Sequence, residues 1–215
     1  LDIKKNKSQN NNEIFFKFDC NNNIDNKIKR VIKKFGVPDI FINCSYPKTR
    51  DWNKSSFKEI KYKSLNRNTK SHLISSCYLA KLIADESVKK NKKCSIVLLS
   101  SIYGLVGQDA SIYRNTSIKE NMAYSIIKGG IVNFTKQMAS HYSRKGIRIN
   151  NVCPGGVIEK HKMKLKKYRN LVKNYSLRSP IGRLAEPKEI ANSIIFLSSD
   201  DSSYITGTSL IVDGG

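Results

Sequence analysis

Tyr124 and Lys128 stand four residues apart, so on a helix they share one face, about one turn from each other. A phenol has a pKa of about 10, too high for base work at neutral pH. A neighbouring ammonium favours the phenolate and is expected to lower that value, which makes the tyrosine a usable general acid/base. Upstream, Ser100-Ser101 follow an apolar run, where a hydroxyl at the end of a strand can hold a substrate oxygen while the proton moves. The spacing alone is common by chance. Its surroundings decide what it means.

The elements that must position these groups alternate along the chain. Ile14 to Phe18 reads as a strand, and Ile24 to Phe35 carries apolar residues at a helical period. Gly36 ends that helix and Pro38 prevents its resumption. Asp39 to Asn43 is β-branched and apolar, the pattern of a buried parallel strand. Residues 57–90 read as helical, followed by a strand over Ser95–Leu99. Met122 to Tyr142 is the helix that carries Tyr124 and Lys128, with Gly129-Gly130 permitting close packing on a neighbour. Strands at Arg148–Val152 and Ile205–Val212 complete the series. Strands alternating with helices predict a doubly wound α/β sheet in one domain over residues 1–215. No internal repeat or long linker interrupts it.

The 39 Lys+Arg against 17 Asp+Glu give a net charge of +22, which raises the question of nucleic acid. The lysines, however, are spread along the chain among abundant Asn and Ile, as an AT-biased genome would produce. No basic motif with interleaved aromatics accompanies them. The expectation is therefore no nucleic acid partner. Five cysteines without paired spacing read as reduced core thiols of a cytoplasmic protein, and no Cys/His cluster has metal-ligand spacing. No apolar run approaches the length of a membrane span.

Taken in order, Asp39-Ile40-Phe41-Ile42-Asn43, Ser100-Ser101, Tyr124-x-x-x-Lys128, Asn150-Asn151-Val152-Cys153-Pro154-Gly155-Gly156-Val157 and the closing Val212-Asp213-Gly214-Gly215 resemble the short-chain dehydrogenase/reductase family. The resemblance covers nearly the whole chain. It implies a Rossmann-type fold and hydride transfer between NAD (alternatively NADP) and a carbinol or carbonyl carbon. Catalytic roles carried over are Ser101 on the substrate oxygen, Tyr124 as the proton carrier and Lys128 on the nicotinamide ribose. A fourth position, usually Asn on the long helix, falls at His72, which can equally relay protons or face a partner subunit, with Asn68 as fallback. On the cofactor side the resemblance implies Asp2 at the adenosine ribose, Asp19-Cys20 beside the adenine, Asn43 at a strand end, and Pro154, Gly155 and Val157 at the nicotinamide. Only Asn43 matches the usual Asn-Asn-Ala-Gly, since Cys44-Ser45-Tyr46 follow it. Asn43 can equally serve as a turn residue, and Asp2 can be an ordinary surface charge.

The first glycine of the chain is Gly36, so the family's glycine-rich phosphate turn is absent from it. The resemblance accordingly implies a fragment that begins after that turn. The segment before Asp39 is then expected to hang apart or to slide against the Asp39–Asn43 strand. The stretch Gln108–Asn121, which includes Tyr113 and Arg114, is longer than the family's and is expected to overhang the site. Residues 159–178 occupy the family's substrate lid and are intensely basic. They suit either a phosphorylated or nucleotide-linked substrate or a solvated face. Ile42 to Pro47 together with Tyr124 to Gly130 look like the oxidoreductases of flagellin-modification and sialic-acid-like sugar pathways. A 3-oxoacyl-carrier-protein reductase is the alternative within the class, and a non-catalytic Rossmann scaffold or RNA-binding protein the alternative outside it. The family's long helices pair in dimers or tetramers, and Tyr78, Leu82 and Met138 are expected at such an interface.

Overall fold

A computed structural model describes residues 14–215. Asp2, and the strand tail expected at Leu1-Asp2-Ile3, lie outside the described residues. The chain folds as helix α1 (Ile24–Phe35), strand β1 (Ile40–Asn43), helix α2 (Tyr62–Thr69), a π-helical turn (Lys70–Ile74), helix α3 (Ser75–Lys89) and strand β2 (Cys94–Leu99). Helix α4 (Met122–Tyr142), strand β3 (Ile147–Pro154), the short α5 (Lys160–Met163), α6 (Arg169–Ser176), α7 (Pro187–Ser198) and strand β4 (Ser209–Val212) follow. The four strands form one parallel sheet in the order β1-β2-β3-β4. This is the Rossmann-type α/β architecture expected.

The period of two along β2 builds both faces of the sheet. Ile96 and Leu98 join α3, α4 and α1 in the larger core, with Ile147 and Ile149 of β3. Val97 points the other way and meets Ile190, Ile194 and Leu197 of α7. Both faces of β2 are therefore covered, which is why it reads as an unbroken apolar run. Helix α4 begins where Asn121 caps it, its side chain accepting the Tyr124 N–H at 2.9 Å. Helix α7 begins with a capping box between Glu186 and Glu189, with Pro187 in its first turn.

Several expectations are corrected. Residues Ile14–Phe18 form no strand; only Lys17 makes a bridge, and Ile14 is exposed while Phe18 is buried in the core. β1 is parallel but not buried, with Ile40 and Ile42 exposed. Among the described residues β1 pairs with β2 alone, so one edge and part of its surface are uncovered. Helix begins at Tyr62 rather than residue 57, and the last strand at Ser209 rather than Ile205. Of the thiols only Cys94 and Cys153 are buried; Cys44 is exposed in the loop after β1. Met138 is buried in the chain's own core, which removes it from any subunit interface. Gly130 does pack closely, its α-carbon facing Leu73 so that an added Cβ would lie 2.6 Å from the leucine side chain.

Candidate active site

Strand β2 ends in a tight turn over Ile102–Gly104, capped by Ser101, whose hydroxyl accepts the Tyr103 N–H at 3.2 Å. That turn lies directly on α4. A Cβ at Gly104 would come within 2.6 Å of the Lys128 carbonyl oxygen, and Ser100 donates to the same oxygen at 2.9 Å. The strand end and the helix face are thereby locked together. Ser101, Tyr124 and Lys128 converge as a result.

Tyr124 lines a cavity of about 480 Å³ with Ser101, Tyr46, Trp52 and Gly155. The Lys128 ammonium lies 5.5 Å from the centre of the Tyr124 ring and donates to the Leu99 carbonyl at 2.7 Å. Burial dominates the titration of both. It pulls Lys128 down to about 8, because a buried ammonium loses its hydration. It also holds the Tyr124 phenol above its usual range, with the Ser101 hydroxyl acting in the opposite direction. The lowering of Tyr124 expected from Lys128 is not found: burial raises the phenol, and the one opposing contribution comes from Ser101. As the phenol stands, it is a proton donor rather than a ready phenolate.

His72 sits in the π-helical turn between α2 and α3 and is buried. Its ring stacks on Trp52 at 4.9 Å, and Tyr46 packs edge-on to His72 at 5.1 Å and to Tyr124 at 6.1 Å. Burial, with help from Lys128, pulls the imidazole down to about 4, so it is neutral at physiological pH. Its Nε2 is buried with no hydrogen-bond partner among the described residues. Asn68, the fallback, is spent on structure: its amide donates to the Ser64 carbonyl at 3.0 Å and accepts from Thr49 at 3.0 Å.

The remaining candidates are more dispersed. Asn43 donates to Ser76 at 2.7 Å and accepts from both the N–H and the hydroxyl of Ser45, so its side chain closes the turn after β1. Asp19 accepts from the Asn21 and Asn22 side chains before α1, and Cys20 reaches toward the Ser71 carbonyl. Pro154 ends β3. Gly155 follows, its α-carbon so close to Asp213 that a Cβ would lie 2.9 Å away. Val157 makes a bridge to Ala185 and borders the cavity. The stretch Gln108–Asn121 does overhang the site, as expected: Gln108 donates to the Asn121 carbonyl and to Ser125, both at 2.8 Å. Sequence reasoning missed Tyr103 and Tyr175 as cavity walls. The side of the chain on which each phenol falls is set by long-range packing, and nothing local marks it.

A family model described as enoyl-(acyl carrier protein) reductase matches residues 3–215. The chain belongs to the short-chain dehydrogenase/reductase family. It is 30% identical over 189 residues to the post-translational flagellin modification protein A of Campylobacter coli, a match spanning 87% of this chain and 71% of that protein. It is 35% identical over 157 residues to 2-(S)-hydroxypropyl-CoM dehydrogenase 3 of Xanthobacter autotrophicus, spanning 66% of this chain and 53% of that one. A short-chain dehydrogenase of Leptospira borgpetersenii, solved with bound NAD+, superposes with a TM-score of 0.85 at 27% identity, covering 100% of this chain and 80% of that one. Members of this short-chain family are oxidoreductases that use nicotinamide cofactors. The residues here fit the nicotinamide half of such a cofactor. Ser101, Tyr124, Gly155 and Val157 border one cavity, and Lys128 lies behind Tyr124. No glycine-rich turn for the pyrophosphate occurs in the chain.

Proposed function

We propose that this chain is a nicotinamide-dependent oxidoreductase acting on a carbonyl or hydroxyl carbon of a sugar or amino-sugar intermediate, with NAD as cofactor and NADP as the alternative. The observation that carries the reading is Ser101 and Tyr124 side by side on the cavity wall with Lys128 one helical turn behind. The nicotinamide supplies the hydride when bound. Ser101 orients the substrate oxygen, and Tyr124 gives its Oη proton to that oxygen as the carbon is reduced. Lys128 holds the cofactor ribose, and its positive charge stabilises the phenolate until a proton from solvent water restores the phenol. His72, neutral and with Nε2 unengaged, fills the fourth catalytic position. Asp2, Asp19 and Cys20 take the adenosine side, and Asn43, Pro154, Gly155 and Val157 the nicotinamide side.

A wall of aromatic rings and hydroxyls suits a sugar, which stacks its C–H faces and hydrogen-bonds its edges. The relative named for flagellin modification supports the same substrate class. A carrier-protein reductase is the second reading, favoured by the description of the matching family model and by the exposed bases Lys160, Lys164, Lys166 and Lys167. The enzyme is taken to work in the cytoplasm as a homodimer or homotetramer, with Ile74, Tyr78 and Ile126 still exposed on the helices that would pair. Oxidation of NADH by the full-length enzyme, followed at 340 nm with a panel of keto- and amino-sugars beside a 3-oxoacyl thioester, tests the function. Turnover confined to the thioester would replace the first reading with the second.

A further inference from the structure

Three phenols from three segments face the catalytic pair. Tyr103 comes from the turn after β2, Tyr113 from the long stretch before α4, and Tyr175 from α6. The Tyr103 and Tyr175 hydroxyls meet at 2.8 Å, and Tyr113 donates to the Gln108 side chain at 3.4 Å. The Tyr175 ring lies flush on Gly156, where a Cβ would come within 2.8 Å of it, so its position is fixed by packing. Asn174 on the same helix donates to the Ile112 and Arg114 carbonyls at 3.0 and 2.9 Å, pinning α6 to the stretch that carries Tyr113.

The charges are placed differently. Of the residues lining this cavity, Lys119 and Glu120 are the charged ones, and Lys119 is taken up by Glu59 at 3.0 Å. Lys162 borders the smaller neighbouring cavity and is paired with Glu159 at 2.6 Å. Arg178 turns to Asp109 and Ser111. Lys160, Lys164, Lys166 and Lys167 are exposed and line neither cavity. A phosphate entering the main cavity would meet phenols and the Glu120 carboxylate, with its charge unmatched by any free cation among the described lining residues. A phosphate that gives up part of its hydration there without a paired cation is disfavoured. Phenols that stay protonated, by contrast, both donate to and accept from alcohols.

We infer that the part of the substrate held in this cavity is uncharged and carries several hydroxyl groups, which the Tyr103–Tyr175 pair and Tyr113 read as specificity residues. This rests on the sugar reading above and narrows it, setting aside a phosphate at the reacting end. The basic lid is then a solvated face rather than an anion grip.

Trp52 is the sole tryptophan of the chain and lines the cavity, so its fluorescence reports occupancy without turnover. The full-length protein is titrated with glucose and N-acetylglucosamine, with their 6-phosphates, and with cyclohexanone. The free sugars should bind about tenfold more tightly than their phosphates. Tyr175→Phe should reduce the ratio of sugar to cyclohexanone affinity about tenfold, the worth of roughly one hydrogen bond in a specific site. Glu120→Gln should narrow the gap between sugar and phosphate. Tighter binding of the phosphates, an unchanged affinity ratio in Tyr175→Phe, or no response to any free sugar would overturn the inference. Because no step of this test needs hydride transfer, a failure of the redox reading shows separately, as sugar binding without NADH oxidation.

Discussion

Among single residues, Tyr124, Lys128 and His72 carry the most consequence. Tyr124→Phe removes one oxygen and leaves the packing intact, so turnover should fall by about two to four orders of magnitude, the range of a lost general acid. Cofactor affinity should stay near that of the parent, since the phenol acts mainly on the substrate oxygen. Lys128→Ala should impair both, and paired measurements of kcat and of cofactor Kd check the difference. Equal turnover of Tyr124→Phe and the parent would remove Tyr124 from the mechanism. His72 gives a pH signature in stability. Its folded imidazole titrates near 4, whereas the unfolded one takes up its proton near 6.5. Between these values the unfolded chain binds more protons, so stability falls as pH drops through that window. His72→Asn removes this contribution. Urea midpoints at pH 7 and pH 4.5 should therefore differ less in the variant than in the parent, and an equal difference would show that the histidine is not held neutral by burial.

At the level of elements, the turn after β2 and the face of α4 behave as one unit. Gly104 is the point of closest approach, with the Lys128 carbonyl carbon 2.7 Å from where a Cβ would stand. That obstacle is backbone, which cannot rotate aside. Gly104→Ala should push the turn off the helix, costing about 1–3 kcal/mol by denaturant unfolding. It should also lower kcat, because Ser101 and Tyr124 separate. Gly107 offers the control: nothing lies within 4 Å of an added Cβ there. Gly107→Ala with the same loss as Gly104→Ala would mean that glycine flexibility, rather than contact, matters in this stretch. The π-helical turn between α2 and α3 belongs to the same scale. It sets His72 under Trp52 and Tyr46, and such turns widen the helix where a side chain must be aimed inward.

For the molecule as a whole, the uncovered surface locates the next contacts. Ile74 is 54% exposed on the turn between α2 and α3, Tyr78 38% on α3 and Ile126 42% on α4. Pairing of these helices with their copies would cover them. Light scattering of the full-length protein at micromolar concentration should give a dimer or tetramer, and Ile126→Lys should shift it toward monomer. A monomer in the parent would contradict the assembly. The net charge of +22 belongs to this scale too. Among the described residues several of these charges are tied in surface pairs such as Lys92–Asp39 and Lys119–Glu59, which contribute little individually.

The order of strands and helices, the helix of Ile24–Phe35 and that of Met122–Tyr142 were legible from sequence because period and caps are local properties. Gly36 marks the end of the first of these helices by chemistry that acts within a few residues. The Tyr124/Lys128 pair was legible for the same reason, a spacing of one turn on a long helix. The exposure of β1, the loss of a strand at Ile14–Phe18 and the burial of Met138 were not. Each depends on what covers a surface, and apolar composition is the same whether or not a neighbour arrives. The direction of the Tyr124 titration also escaped the sequence, which shows the nearby lysine but not the burial that raises the phenol. Of the phenol wall the sequence reached Tyr113, in the stretch expected over the site, and missed Tyr103 and Tyr175. Tyr175 lies some 60 residues beyond Tyr113 in the chain, and the packing of α6 on the stretch that carries Tyr113 brings its hydroxyl to that of Tyr103. Sequence determined the Tyr124/Lys128 pair, because one helical turn joins them. Tertiary structure decided what that pair faces, because the facing residues come from distant segments.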